Sequence, residues 1–407
     1  MALKVMKFGG SSVADVEKIR NVARRVAREY DAGHDCVVVV SAMGKTTDHL
    51  VSMADEVSGG NPHPRELDML LSTGEQVTIA LMAMALENMG KSAISLTGRQ
   101  VGIVTDFVHS KARIREISTE RLSQLLGERK VCIVAGFQGS TENDDITTLG
   151  RGGSDLTAVA IAAALKADVC EIYTDVLGVF TTDPRVVPGA RKIDQITFDE
   201  MLELATQGAG VLHNRSVECA KNYNVTLHVR STFSEEPGTL VVKEIENMED
   251  IVISGVAFRR SEAKITIRNV NDEPGVAAKL FTALAKKHIQ VDMIIQNETL
   301  NQRNDIGFTV SGADSAKALE VCEALKAELG GSEVVCDRNV AKVSAVGVGM
   351  QTHVDVAATM FRALSEAGVN ILSITTSEIK ITVLIAEEQV DRAVQTIHDA
   401  FELSKTA

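Results

Sequence analysis

Nine residues near the C-terminal end recur at an offset of eighty. Val276-Ala277-Ala278-Lys279-Leu280-Phe281-Thr282-Ala283-Leu284 aligns with Val356-Ala357-Ala358-Thr359-Met360-Phe361-Arg362-Ala363-Leu364, identical at six of nine positions. In each copy the apolar residues fall at i, i+4, i+5 and i+8, one face of a helix, and a strand-like run follows at 291–295 or 371–374. The last third of the chain is therefore read as two small α+β modules behind a larger domain. The acidic, glycine-free stretch 242–251 is the expected connector. This sets a first domain at 1–242, a linker at 243–263, and modules at 264–340 and 341–407, with strands open to exchange between the modules.

The first two-thirds alternate short apolar runs with longer helical patterns. Runs at 3–8, 35–43, 92–96, 131–137 and 171–175 read as strands, and helices are expected near 13–31, 66–89 and 155–166. Val37-Val38-Val39-Val40 is continuously β-branched, the mark of a parallel strand buried on both faces. The fold class is α/β, with a mainly parallel central sheet covered by helices and a site at the carboxyl ends of its strands. Gly9-Gly10, Ser41-Ala42-Met43, residues 136–139 and Thr174-Asp175 stand at those ends.

At 407 residues the chain exceeds one core, so two or three domains are expected. A net charge of −13, no Trp and 3% aromatic residues argue against nucleic acid, which needs a basic footprint or stacking platforms. The apolar runs 77–86 and 156–165 are about half a membrane span, and the N-terminus lacks a secretory pattern, so no membrane role and a cytoplasmic location are expected. Six scattered cysteines without a C-x-x-C pair read as buried, reduced thiols.

Two glycine loops carry the chemistry. Lys7-Phe8-Gly9-Gly10-Ser11-Ser12 joins the first strand to a helical pattern. Glycines can turn N–H groups toward an anion, a following helix adds its positive end, and Lys7 brings an ammonium. Gly150-Arg151-Gly152-Gly153-Ser154-Asp155 runs straight into an alanine-rich helix. Ser154 or Asp155 could simply cap that helix, whereas Arg151 between glycines suits bidentate capture of a carboxylate. Two anion sites in one domain suggest two anionic substrates. Gly44-Lys45-Thr46 and Gly90-Lys91-Ser92 are not P-loops, because Val39 and Ala85 stand where the earlier glycine is needed. The first loop also lacks the second and third glycines of a dinucleotide fingerprint.

Lys7 to Val13, Ser72-Thr73-Gly74-Glu75, Gly150 to Asp155, Tyr173-Thr174-Asp175 and Gly178-Val179-Phe180-Thr181-Thr182-Asp183-Pro184-Arg185 together resemble the aspartate kinases of the amino-acid kinase superfamily. The repeat resembles their paired, ferredoxin-like ACT modules. The resemblance implies ATP-dependent phosphorylation of the L-aspartate β-carboxylate, the first step toward lysine, threonine and methionine. It places Lys7, Arg151 and Asp183 in catalysis. ATP falls to Lys7, Phe8, Gly9, Gly10, Ser11, Thr174, Asp175, Phe180, Thr181, Thr182, Asp183 and Arg185. Aspartate falls to Ser41, Thr47, Glu75, Arg151, Gly152, Gly153, Ser154 and Asp155. Mg2+ is expected on the ATP phosphates rather than on protein ligands. For Glu75 the plain alternative is a solvated or capping carboxylate at the start of a helix from Gln76 to Leu86.

The resemblance further implies feedback by lysine, threonine or both. Effectors would lie between ACT modules of different subunits, on Asp272, Gly275, Val276, Ala277, Val291, Asp292, Gln296, Asn297, Asn370, Ile371 and Ser377. A homo-oligomer through these modules is expected, as a dimer or as an α2β2 assembly with a short subunit started near Met248. Two positions depart from the family pattern. Leu177 replaces an acidic residue near the nucleotide, and Gly210 replaces a lysine, for which Lys192 or Arg215 are candidate substitutes. The alternatives are a superfamily kinase for acetylglutamate, glutamate or UMP, and an amino-acid sensor with a decayed kinase domain.

Overall fold

The computed structural model describes residues 2–245, 252–298, 303–351, 353 and 355–405. Met248 and most of the expected connector lie outside them. The chain forms two compact units. The first comprises Met1–Val179, Lys192–Thr206 and Gly210–Asn247, and the second Phe180–Arg191, Gln207–Ala209 and Met248–Ala407.

In the first unit the strands are β1 (Leu3–Phe8), β2 (Asp35–Val40), β3 (Ala93–Leu96), β4 (Ile103–Thr105), β5 (Ile114–Ile117), β6 (Val131–Ala135), β7 (Gln138–Ser140), β8 (Ile146–Thr148), β9 (Val169–Thr174), β10 (Gln195–Thr197), β11 (Leu227–Ser231) and β12 (Thr239–Val242). Its helices are α1 (Val16–Asp31), α2 (Thr46–Ser58), α3 (Pro64–Glu87), α4 (Glu120–Gly127), α5 (Gly153–Leu165), α6 (Phe198–Thr206) and α7 (Asn214–Tyr223).

Eight strands form one sheet in the order β10-β12-β11-β9-β1-β2-β6-β3, parallel except where β11 meets β12. The expected covered parallel sheet is present. Val37, Val38, Val39 and Val40 are fully buried, as strands with helices on both faces require. β1 lies between β2 and β9, with Lys7 opposite Val39 and Ile172, so the end of β1 opens at the middle of the sheet edge.

Boundaries differ from expectation for local reasons. The expected strand 35–43 stops at Val40, because the Ala42 N–H leaves the ladder to donate to Glu75. The strand 131–137 stops at Ala135, and Phe137 turns the chain with φ 70°. The helix expected from 13 starts at Val16, where Asp15 accepts the Lys18 N–H, after a separate 3-10 turn at Gly10–Val13. The small sheet β5-β4-β7-β8 was not expected, since its strands are three or four residues long. α3 has the length and composition of a membrane span, yet it carries Asp68 and Glu75 buried and hydrogen-bonded, as in a core helix.

The second unit holds β13 (Gly255–Asn271), α8 (Val276–Lys286), β14 (Ile294–Glu298), β15 (Arg303–Ser311), α9 (Ser315–Leu325), β16 (Glu333–Val346), α10 (Val356–Glu366), β17 (Ser373–Ser377), β18 (Lys380–Ala386) and α11 (Val390–Ala400). Its antiparallel sheet runs β14-β15-β13-β16-β18-β17, with the long strands β13 and β16 at the centre. The eighty-residue repeat maps onto α8–β14 and α10–β17. Leu280 and Leu284 fill one core, and their counterparts Met360 and Leu364 fill the other, all at 0% exposure. Each such burial is worth about 1.5–3 kcal/mol. The strands after these helices begin at Ile294 and Ser373, two or three residues later than the apolar pattern indicates.

Candidate active site

Lys7 is the penultimate residue of β1, and its Nζ sits 2.5 Å from Asp155 Oδ1. Both side chains are nearly buried, at 12% and 13% exposure. Asp155 therefore does not cap its helix. The N-cap of α5 is Gly152, at φ 71°, which puts Ser154 and Asp155 inside the first turn. A Cβ at Gly152 would stand 2.4 Å from His213 Cβ, so that position needs glycine for space as well as for φ. The second glycine loop thus delivers both a helix N-terminus and a carboxylate to Lys7.

The first loop works differently from expectation. Its glycines open the 3-10 turn, and α1 begins only at Val16, so no long helix points its dipole at Gly9-Gly10. Gly10 is needed for close approach, because a Cβ there would lie 2.9 Å from Ala42 O and 3.1 Å from Gly44 O. The Gly44 N–H donates to Gly10 O at 3.0 Å, which fastens the turn to the end of β2.

These elements line one cleft of about 280 Å³, bordered by Lys7, Gly9, Gly10, Ser41, Thr47, Glu75, Phe137 and residues 150–155. Every residue expected on the aspartate side is brought together there. Glu75 lies in the middle of α3, not at a helix start, and is 2% exposed. Its Oε1 accepts the Ala42 N–H at 3.0 Å, while Oε2 has no hydrogen-bond partner among the described residues. Burial pushes its carboxyl up to about 7, partly offset by the Ala42 N–H. Arg151 is exposed and forms no ion pair among the described residues. The cleft thus presents a buried carboxylate, two cations and glycine backbone, a set complementary to a zwitterionic acid and a phosphate chain.

Of the residues expected on the nucleotide side, Lys7, Gly9 and Gly10 line that cleft and the others do not. Phe8 is a core residue, stacked on Tyr173 at 4.6 Å, so any contact it makes with a nucleotide is through its backbone. Ser11 is exposed within the 3-10 turn, and the Thr174 hydroxyl donates to Asp175. Phe180, Thr181, Thr182, Asp183 and Arg185 belong to the second unit. There Thr181 is buried against His398 Nε2 at 2.9 Å and accepts the Arg191 N–H, so its hydroxyl is committed to the fold. Thr182 is 5% exposed. Asp183 accepts the backbone N–H and guanidinium of Arg185, which holds its carboxyl below the usual range.

The candidate substitutes for the lysine absent at Gly210 are both engaged. Lys192 donates to Asp194 and Gly238 O, and Arg215 to Leu149 O and Ala112 O. Sequence reasoning missed Asp68, which is 0% exposed in α3. It accepts from Thr148 Oγ1 at 2.6 Å and from the Ser110 N–H, and bonds His109 Nδ1 at 2.8 Å. Ser110 O in turn packs on Gly150. A lone Asp on an apolar helix was the available signal.

In the second unit the expected effector residues fall into two sets related by the repeat. Gly275, at φ 102°, precedes α8, whose first residues are Val276 and Ala277. Asp272 accepts from Asn304 Nδ2 at 2.7 Å. Val291 packs on the first core and Ile371 on the second. Asp292 pairs with Lys342, which also bridges Glu262 at 3.0 Å, with Lys342 and Glu262 both 1% exposed. Burial raises the Glu262 carboxyl, and Lys342 opposes that rise. Gln296 is exposed on β14, Asn370 is exposed before β17, and Ser377 is exposed at its end. Asn297 lies on β14, with its side chain outside the described residues.

A covered parallel sheet with two glycine loops converging on a lysine–aspartate pair, followed by twin α+β modules, defines an amino-acid kinase of the regulated type. Residues 2–231 match the amino acid kinase family, and residues 265–325 and 343–401 match the ACT domain. An aspartokinase of Mycolicibacterium smegmatis is 52% identical over 99% of this chain and 97% of its own. An aspartokinase of Pseudomonas aeruginosa is 53% identical over 100% and 99%. Escherichia coli aspartokinase III, solved with aspartate and ADP in its R-state, superposes at TM-score 0.84 with 28% identity, covering 98% of this chain and 99% of that one. The same enzyme with lysine and aspartate in its T-state gives 0.78. The chain belongs to the amino acid kinase family, as one of its aspartate kinases.

Proposed function

We propose that this enzyme transfers the γ-phosphoryl group of ATP to the β-carboxylate of L-aspartate, giving 4-phospho-L-aspartate. The observation that carries this reading is the Lys7–Asp155 pair at the base of a cleft holding Glu75, Arg151 and both glycine loops. The acceptor carboxylate is ionised at neutral pH, so no general base is needed, and catalysis rests on alignment and charge neutralisation. Lys7 leaves Asp155 for the transferring phosphoryl oxygens as negative charge builds there. The Gly9-Gly10 backbone and the first turn of α5 supply N–H donors. Glu75 accepts from the substrate ammonium, and Arg151 takes a carboxylate, with Ser41, Thr47 and residues 152–154 completing the aspartate side.

The nucleotide enters as its Mg2+ complex. The ion is assigned to the ATP phosphates and water rather than to protein ligands. Thr174, Asp175, Phe180, Thr182, Asp183 and Arg185 are assigned to the nucleotide, with Thr181 contributing backbone only.

Lysine, threonine or both act as feedback inhibitors at the ACT modules, in a homo-oligomer joined through them, and the enzyme works in the cytoplasm. The domain limits 1–242, 264–340 and 341–407 belong to the same reading, as does a short subunit started near Met248. The test is hydroxylamine trapping of acyl phosphate from ATP with L-aspartate, acetylglutamate or glutamate, with and without lysine plus threonine. Product from aspartate alone, suppressed by the effectors, is the expected result. No product from aspartate overturns the reading.

A further inference from the structure

A second cavity in the first unit lies away from the chemistry. It measures about 590 Å³, sits between β5, α5 and α7, and shares no lining residue with the catalytic cleft. Residues 113–117 all border it. Successive side chains of a strand point to opposite faces, so five consecutive lining residues mean that β5, an edge strand, turns its unpaired edge into the cavity. The floor is apolar, made by Leu156, Ala160, Ala163 and Ala164 of α5, with Tyr223 exposed at the rim.

Charge distinguishes this cavity from a plain groove. Arg113, Arg115 and Arg215 line it, outnumbering the carboxylates Glu116 and Glu218 there. Neither Arg113 nor Arg215 has a carboxylate ion-pair partner among the described residues, and Arg115 reaches Asp106 only at 3.8 Å. Burial and the charge of Arg113 hold the Arg215 guanidinium below its ordinary value, opposed by Asp106, Glu218 and Cys219. Two cations sharing an apolar-floored space favour an anion that brings its own hydrophobic arm.

We propose that this cavity binds a small organic acid with an aryl or branched-alkyl arm, its carboxylate on Arg113 and Arg215 and its arm on the α5 floor. Occupancy is felt at the substrate loop. Arg215 Nη1 donates to Leu149 O at 2.6 Å and Nη2 to Ala112 O at 3.1 Å, and Leu149 leads directly into residues 150–155. Leu149, Ala112 and Leu156 share one small core, against which Ile114 and Cys219 of the cavity pack. A carboxylate that draws Arg215 from these carbonyls loosens the loop. This second half rests on the assignment of residues 150–155 to aspartate, and the first half does not.

The probe is 3-phenylpropanoate, titrated calorimetrically into the full chain, with 3-phenylpropanol and propanoate as controls. Saturable binding is expected for the probe, weaker by about tenfold or more for either control and for Arg113→Ala with Arg115→Ala, as loss of a charge-assisted contact requires. Both arginines are exposed, so the double variant keeps the fold. Bound probe should also slow alkylation of Cys219, whose thiol burial pushes up to about 11, when peptides are mapped after iodoacetamide treatment at alkaline pH. A rise in KM for aspartate with kcat unchanged supports transmission through Arg215. Absence of saturable binding, equal binding by the alcohol, indifference to the arginine variants or unprotected Cys219 overturns the site. Site binding without a KM change overturns only the transmission.

Discussion

Replacing Glu75 by Gln should make the free enzyme more stable and its aspartate binding worse, with both effects set by pH. Glu75 is 2% exposed, with one oxygen on the Ala42 N–H and the other unpartnered among the described residues. Its carboxyl is raised from 4.5 to about 7 by burial. A carboxylate raised on folding stays protonated, at no cost, below about pH 4.5. The folded state then loses stability as pH climbs to about 7 and stays lower above it. At about 1.4 kcal/mol per pH unit the loss is about 3–4 kcal/mol. Gln copies the protonated form and escapes this loss. The Glu75→Gln variant and the wild type should therefore melt together near pH 4.5 and diverge above pH 7, the variant higher by several degrees. The substrate ammonium reverses the balance, since it favours the ionised carboxylate. Glu75→Gln should raise KM for aspartate at pH 8 by about ten- to a hundredfold, the worth of a charge-assisted hydrogen bond, with a smaller change in kcat. For the wild type, aspartate binding at pH 6 should release close to one proton, measurable by calorimetry in two buffers. A variant that is less stable at pH 8, or one with an unchanged KM, would refute this account of Glu75.

Lys7→Ala should cut kcat by about a hundredfold or more while KM for ATP changes little, because Lys7 acts on charge that appears during transfer; steady-state kinetics decides it. Asp68→Ala should lower stability by about 3–5 kcal/mol, since it strands His109, the Ser110 N–H and Thr148 in a buried site, whereas Asp68→Asn should lose less in the same thermal melt. Gly152→Ala combines a strained φ of 71° with a 2.4 Å clash on His213, and should raise KM for aspartate by at least about tenfold through displacement of Arg151 and Asp155. Gly210→Lys meets open space, with no heavy atom within 4 Å of a Cβ, so stability should move by less than about 0.5 kcal/mol. If the absent family lysine serves the nucleotide, the same variant lowers KM for ATP, which initial-rate measurements report.

Much of the candidate cleft was legible because it is written in local signals. Gly9-Gly10, residues 150–155 and Glu75 are short motifs at strand ends and on α3, and the topology brings them into one cleft. What each residue does there was less legible. Asp155 could be a cap in one dimension, and only the pairing of β1 with its neighbours, together with the start of α5 at Gly153, puts its carboxylate on Lys7. The glycine turn after β1 was misassigned to a helix N-terminus, because the 3-10 turn and the true start of α1 differ by only a few residues. The sheet β5-β4-β7-β8 left no periodic trace, and with it went Asp68, whose partners Ser110 and Thr148 lie 42 and 80 residues away.

The nucleotide side was the least legible, for a topological reason. The chain enters the second unit at Phe180–Arg191 and again at Gln207–Ala209 before leaving the first unit for good. Nothing in composition marks these excursions, since a segment of twelve residues carries no core of its own. Their anchoring is tertiary. Val187 joins the core that also holds Val343 and Ile397, the Val256 N–H donates to Thr181 O at 2.7 Å, and Ser344 Oγ bonds Gln207 Oε1. Thr181 closes the set through His398, which is 0% exposed. Residues expected to serve the nucleotide are thus fixed by the packing of β13, β16 and α11 rather than by their sequence neighbours in β9.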